Sequence, residues 1–322
     1  MGKRICLLGC VFLLLSGCGR EQEPENPAFF DTTEESENLI VVGLAQVGSE
    51  SDWRLANTQS YKETFTEENG YYLLFEDGQQ KQENQVKAVR NFILQEVDYI
   101  VLDPIVETGW DAVLKEAKDA GIPVILSDRS VQVEDSELYT CWVGSDFKAE
   151  GEKAGMWLLD YLKEKERLEE EIQIVTLQGT LGSTAQIGRT EGFNRVLGGQ
   201  ENWVMLEQQS GEFTQAKAKE VMEYFLRTYP DIDVVVCEND NMAFGAMDAM
   251  REAGKSFGKK GDIIVIAFDA TEAALEAVER GEIHADFECN PLLGPVVDRT
   301  IKKLELGQKV DKIQYVEETY FD

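Results

Sequence analysis

Short apolar, β-branched runs alternate with amphipathic stretches along most of the chain. Ten runs read as strands: residues 39–45, 71–76, 99–102, 123–127, 139–143, 172–177, 204–208, 234–237, 263–268 and 283–287. Between them the apolar positions change to helical spacing. In residues 82–95, Val86, Val89, Phe92 and Ile93 share one face, and in residues 217–227 Val221, Tyr224 and Phe225 do the same. Near-continuous apolar strands separated by helices indicate parallel sheet covered on both faces. Ten strands are too many for one compact doubly wound sheet, and residues 158–171, dense in charge, lie near the middle. The expected fold class is α/β, in two lobes with a first boundary near Gly144.

The residues ahead of the first strand follow a different pattern. Lys3 and Arg4 precede an apolar run over residues 5–15, too short to span a bilayer as a helix. The run ends in Leu15-Ser16-Gly17-Cys18, the form of a bacterial lipoprotein cleavage site, in which small residues suit the peptidase and Cys18 receives the diacylglyceryl thioether. Residues 1–17 are therefore read as a lipoprotein signal peptide. Residues 18–37, polar, acidic and proline-bearing, are read as the lipidated cysteine and a flexible tether. The expected location is outside the cytoplasm, anchored to the bacterial membrane by a lipid.

Composition narrows the function. Lys plus Arg number 31 against 61 Asp plus Glu, a formal net charge of −30, so phosphate backbones are repelled and nucleic acid is a poor partner. The single histidine, His284, leaves no material for a two-histidine metal helix and reads as an ordinary strand-edge residue. Cys141, Cys237 and Cys289 lie in or beside apolar runs. They read as buried free thiols, with one disulfide between two of them as the alternative in an exported protein. No catalytic residue, cofactor or metal is expected.

In open α/β sheets a ligand lies outside the carboxyl ends of the strands. Asp77, Asp103, Asp128, Asp146, Asp240 and Asp269 each follow or close a strand, and Asn239 stands beside Asp240. One aspartate in such a place is usually a helix N-cap. Six of them, accompanied by Arg54, Arg129 and Arg189 in similar connections of an acidic chain, point to a ligand instead. Carboxylate, amide and guanidinium groups form hydrogen bonds in fixed forks that match adjacent hydroxyls. A sugar also needs an apolar face, for which Trp53, Trp110 and Phe213 are candidates, against their reading as core or lid packing.

Eight motifs then occur in one order: Ser51-Asp52-Trp53-Arg54, Gly78-Gln79-Gln80-Lys81-Gln82-Glu83-Asn84-Gln85, Glu107-Thr108-Gly109-Trp110, Ser127-Asp128-Arg129, Leu177-Gln178-Gly179-Thr180, Gln209-Ser210-Gly211-Glu212-Phe213, Asn239-Asp240-Asn241-Met242-Ala243 and Glu288-Cys289-Asn290-Pro291. From residue 39 onward the chain resembles the type I periplasmic-binding-protein family, the solute-binding components of bacterial sugar ABC importers, and within it the galactofuranose-binding branch. The resemblance implies two Rossmann-like lobes with parallel sheets, joined by a three-segment hinge. The lobes are expected at 38–144 plus 289–310 and at 145–288 plus 311–322.

It also implies that a monosaccharide, galactofuranose-like or a related pentose or hexose, is captured between the lobes and delivered to an ABC permease and its ATPase by a monomeric protein. In that reading Trp53 stacks on the sugar, and Ser51, Arg54, Asp128 and Arg129 face it from the first lobe, with Asp103 and Trp110 near the site. Arg189, Phe213, Asn239 and Asp269 answer from the second lobe, and Glu288 marks a hinge crossing. The chain departs from the family pattern at Gly188, where Asp is common, at Glu238, where His is common, and at Asp103, which replaces a small residue. Two alternatives are a sugar-sensing partner of a membrane histidine kinase and a carbohydrate-active enzyme using Asp128 and Asp269 as acid and base. Partner groups expected to keep both carboxylates ionised weigh against the enzyme. A DNA-binding repressor of related fold is excluded by the acidic tether in place of a basic helix-turn-helix.

Overall fold

The computed structural model describes residues 39–322; the stretches read as a signal peptide, lipidated Cys18 and tether lie outside the described residues. Residues 39–322 build two six-stranded sheets. The first contains β1 (Ile40–Gln46), β2 (Tyr71–Asp77), β3 (Tyr99–Leu102), β4 (Val124–Asp128), β5 (Cys141–Gly144) and the late β11 (Ile313–Tyr315), all parallel, in the order β11-β5-β4-β3-β1-β2. The second contains β6 (Ile172–Gln178), β7 (Trp203–Ser210), β8 (Val234–Cys237), β9 (Ile264–Asp269), β10 (Ala285–Glu288) and β12 (Tyr320–Phe321), in the order β12-β10-β9-β8-β6-β7. Only β12 runs antiparallel, against β10. All ten expected strands form, with ends shifted by at most two residues.

Helices α1 (Asp52–Thr64), α2 (Gln82–Leu94), α3 (Asp111–Asp119) and α9 (Gly294–Glu305) cover the first sheet. Helices α4 (Phe147–Glu164), α5 (Thr184–Leu197), α6 (Gln215–Thr228), α7 (Asp240–Glu252) and α8 (Glu272–Glu279) belong with the second. Val42, Leu44, Val101, Ile125 and Val143 of the first sheet pack with Tyr61 of α1 and with Leu293, Val297 and Ile301 at α9. Polar side chains start the helices that matter for the site. Ser51 accepts from the Arg54 amide to cap α1, Asp146 caps α4, Ser183 caps α5 and Asn239 caps α7. Gly188 has a packing reason: a Cβ there would lie 2.6 Å from the Phe147 Cβ, where α4 and α5 meet.

The chain passes between the sheets three times, at residues 145–146, 289–293 and 316–319. The third passage corrects the expected boundary near residue 310, because β11 pairs with β5 and holds residues 313–315 in the first sheet. Tyr315 packs edge-on against Trp142 with ring centroids 5.6 Å apart. Strand β11 has three residues and is largely exposed, so no apolar run announces it. Within each sheet the strand order reverses beside one central strand, β1 in the first and β6 in the second. Connections leave in opposite directions there and open a crevice at the carboxyl ends.

Candidate functional site

A narrow cavity of about 20 Å³ lies among those strand ends, far below the roughly 300–1,000 Å³ typical of an occupied small-molecule site, so the two halves are drawn tightly together around it. Glu50, Ser51, Trp53 and Arg54 reach it from the start of α1, and Asp128 and Arg129 from the end of β4. Phe147, Ala185 and Arg189 line it from α4 and α5. Phe213, Asn239, Asp269 and Cys289 reach it from the ends of β7 to β10. Nine of the twelve ligand residues expected from sequence thus meet at one place.

The other three do not line it. Trp110 is fully buried in the hydrophobic core of its lobe, and its indole Nε1 donates to the Val106 carbonyl. Asp103 lies behind Arg54, whose Nη1 donates to Asp103 Oδ2 at 3.2 Å. Glu288 ties two hinge passages together, its carboxylate accepting from the Thr319 amide at 3.0 Å. Asp77, one of the six strand-end aspartates, neither lines the cavity nor caps a helix: it closes a turn by accepting from the Gln79 amide, and α2 starts after Lys81. Sequence reading missed Glu50, Phe147, Ala185 and Cys289. Glu50 sits in a polar loop without an apolar flank, and Cys289 counted only as a buried thiol. All three described cysteines are free and buried.

Three buried arginines organise the charges. Arg54, 1% exposed, donates to Glu50, Asn57, Asp103 and Asp128, so few of its N–H groups remain for a ligand. Arg129 donates to Glu50 Oε1 at 3.1 Å and lies 5.0 Å over the Phe213 ring. Arg189 holds Glu150 at 2.7 Å and Asp269 at 3.1 Å, donates to the Glu238 carbonyl, and lies over Phe147 and Phe268. Trp53 donates its indole N–H to the Cys289 carbonyl, which fixes one ring across the second hinge passage.

Burial governs the carboxyl groups. It pushes Asp103 up to about 7 against the pull of Arg54, and it pushes Glu150 and Glu238 up to about 8. Burial likewise raises Asp269 well above its ordinary value, with Arg189 opposing. Glu50 shows the reverse balance. Burial disfavours its charge, but Arg54 and Arg129 outweigh that and hold it below the usual range. Asp128, Phe213 and Asp269 have φ of 56°, 59° and 110°, left-handed backbone that ordinary residues seldom adopt and that recurs at binding sites.

Glu238 explains its departure from the family pattern structurally: it accepts from the Gly179 amide at 2.7 Å and from the Thr190 hydroxyl. His284 is buried, accepts from the Val265 amide through Nδ1, and has its pKa pushed down to about 4 by burial and nearby lysines. Glu150, Cys289 and Glu318 bring ligand-type atoms within 4.8 Å of one another. Their donors already serve the hinge: Glu150 binds Arg189, and Glu318 accepts from the Ser145 hydroxyl and the Asn290 amide.

Hydrogen bonds cross the cleft at its edges. The Thr184 hydroxyl accepts from the Ser130 amide at 2.8 Å and donates to the Ser130 carbonyl at 3.1 Å. The Glu107 amide donates to the Gly182 carbonyl, and Asp52 and Asn241 exchange two bonds at 3.0 and 3.1 Å. The cavity is therefore enclosed by two halves in contact, with arginine–carboxylate forks and aromatic faces from both.

Comparison with known proteins agrees with this architecture. The chain is 42% identical to the galactofuranose-binding protein YtfQ of Escherichia coli over 286 residues, covering 88% of this chain and 87% of that one. A Mycobacterium smegmatis protein solved in complex with β-D-fucofuranose superposes with a TM-score of 0.84 at 43% identity, covering 88% and 91% of the two chains. The binding protein of the arabinose ABC transporter from Shewanella sp. ANA-3, bound to α- and β-L-arabinofuranose, gives 0.82 at 42% identity, covering 87% and 91%. The periplasmic binding protein domain model matches residues 42–288, and with these relatives it establishes that the chain belongs to the periplasmic binding protein family.

Proposed function

We propose that the protein captures one monosaccharide in this cavity, galactofuranose or a related furanose, and delivers it to an ABC importer. The observation that carries the reading is the cavity itself: guanidinium and carboxyl forks from Arg129, Asp128, Arg189 and Asp269, with Trp53 and Phe213 beside them, drawn from both halves of a hinged fold. Ser51, Arg54 and Asn239 complete its polar wall. In a site closed from water, a hydrogen bond to a charged group contributes roughly 1.5 to 3 kcal/mol, or about 10- to 200-fold in affinity. The two relatives solved with furanoses bound support the ring form.

A thermal-shift panel of furanose and pyranose sugars tests the reading, since a ligand at a hundred times its Kd stabilises by about 2.7 kcal/mol. Calorimetry with the best sugar should then show Arg129→Ala and Asp269→Ala each weakened by at least about tenfold. Binding by both within threefold of the parent would place the site elsewhere. Lipid attachment at Cys18 would keep the protein at the outer face of the membrane, within reach of a permease. Among the described residues no helix is long and apolar enough to cross a membrane. If Cys18 carries the lipid, Cys18→Ala stays unprocessed and unacylated in a labelling experiment with radioactive fatty acid; an acylated variant refutes the anchor.

A further inference from the structure

Six buried side-chain polar atoms among the described residues have no hydrogen-bond partner, and only two of them, Glu50 Oε2 and Arg129 Nε, belong to residues lining the cavity. Leaving such an atom unpaired is costly, and more so when it is charged. The two belong to one unit, because Arg129 Nη2 donates to Glu50 Oε1 at 3.1 Å, while the carboxylate facing Arg129 Nε, Asp128 Oδ2, stands 3.6 Å away, beyond hydrogen-bond reach. Glu50 Oε1 is fully engaged, accepting from Arg54 Nε at 3.2 Å as well. The free oxygen of an ionised carboxylate only accepts, and the Nε of a guanidinium only donates.

A hydroxyl answers both needs, since it donates one proton and accepts through its lone pairs. An ammonium offers donors alone and leaves Arg129 Nε unpaired. A carboxylate or phosphate offers acceptors alone and meets the charge of Glu50 with its own. We propose that Glu50 Oε2 and Arg129 Nε together grip a single hydroxyl of a neutral sugar, Oε2 accepting its proton and Nε donating to its oxygen. The pair selects uncharged sugars over amino sugars, sugar acids and sugar phosphates. This inference rests on the sugar-binding reading above and adds a specificity residue to it.

The test is calorimetry with the sugar found in the panel, its monodeoxy and monodeoxyfluoro analogues, and the variant Glu50→Gln. Fluorine accepts weakly and cannot donate. At one ring position the unaltered protein should lose about 10- to 200-fold in affinity for both analogues. In Glu50→Gln the amide oxygen must stay toward the arginines, so the amide N–H₂ faces the cavity. The parent sugar then binds at least tenfold more weakly, and the fluoro penalty at that position falls to within threefold while penalties elsewhere are unchanged. A general loss of packing would not be confined to one hydroxyl.

Parent-sugar affinity within threefold in Glu50→Gln, or analogue penalties that stay the same in both proteins, overturns the proposal. If that variant fails to fold, Glu50→Asp, which keeps the charge and withdraws Oε2 by one methylene, is measured in the same way with the same criteria. An unaltered protein that binds no sugar in the panel refutes the sugar reading and this inference with it. Sugar binding with unchanged penalties refutes this inference alone.

Discussion

Thr184→Val removes a hydroxyl that touches the opposite half of the protein without lining the cavity. Thr184 opens α5, and its hydroxyl accepts from the Ser130 amide and donates to the Ser130 carbonyl. Valine has nearly the same shape, so the chief change is that both bonds vanish and a partly buried backbone amide faces a methyl group. A hydrogen bond contributes about 0.5 to 1.5 kcal/mol net, so the loss amounts to roughly 1 to 3 kcal/mol. When the cleft opens, the same groups meet water in either protein, and the cost falls on the closed state alone. The closed–open equilibrium should shift by about 5- to 150-fold. Because direct sugar contacts are untouched, the shift should appear in the dissociation rate, with association nearly unchanged. Stopped-flow displacement, read through the fluorescence of Trp53 beside the cavity, measures it. Asp52→Ala at the opposite edge of the cleft removes the bond its carboxylate accepts from the Asn241 amide and keeps the one its backbone donates; it should act in the same direction, more weakly, and the two effects should add. A dissociation rate within twofold of the parent in Thr184→Val would show that the cleft-edge bonds do not hold the halves together.

Gly179→Ala should weaken sugar binding at least tenfold by calorimetry, because the new Cβ would lie 1.9 Å from the Phe213 Cζ and drive that ring from the cavity; unchanged affinity would remove Phe213 from the site. Trp53→Ala should lower stability by about 3 to 5 kcal/mol in denaturant unfolding, through the lost core volume and the lost bond to the Cys289 carbonyl, and a loss under 1 kcal/mol would refute that role. Thermal stability should fall between pH 6.5 and pH 8. Buried Asp103, Glu150 and Glu238 hold their protons up to about pH 7 to 8, whereas in the unfolded chain they ionise near pH 4, so each costs up to about 1.4 kcal/mol per pH unit until its folded pKa is passed. His284, pushed down to about 4, acts with the opposite sign and only below about pH 6.5. Calorimetric scans at the two pH values, repeated on Glu238→Gln, should show a smaller fall in the variant, and equal stability at both values would refute the protonated state.

Strand positions were legible because the buried strands are apolar runs with few polar breaks, such as Gln173 and Thr176 in β6 and Asp286 in β10, and a polar residue stands at or just past the carboxyl end, where the cavity lies. Position along a strand does not fix the direction of a side chain. Asp103 directly follows β3 and Asp128 closes β4, yet Asp103 lies behind Arg54 and Asp128 lines the cavity. Trp110 follows a strand-to-helix connection but turns into the core, where the Val106 carbonyl satisfies its indole. Glu50 was illegible for the opposite reason. Past Val47 its loop is polar, and only the convergence of Arg54 and Arg129 upon it reveals a buried charge. Strand β11 carries no apolar signal because its burial comes from one neighbour, β5.

The three passages between the sheets are laced rather than merely adjacent. Val316 bonds Gly144, Glu288 and Thr319 exchange two bonds, and Glu318 joins Ser145 to Asn290. One tether would let the halves swivel, and two would define a line about which they could also shear. Three bonded side by side act as a flat flexure, compliant in bending and stiff in torsion and sliding. Opening is thereby confined to essentially one rotational degree of freedom, so contacts on both rims of the cleft must part along the same coordinate.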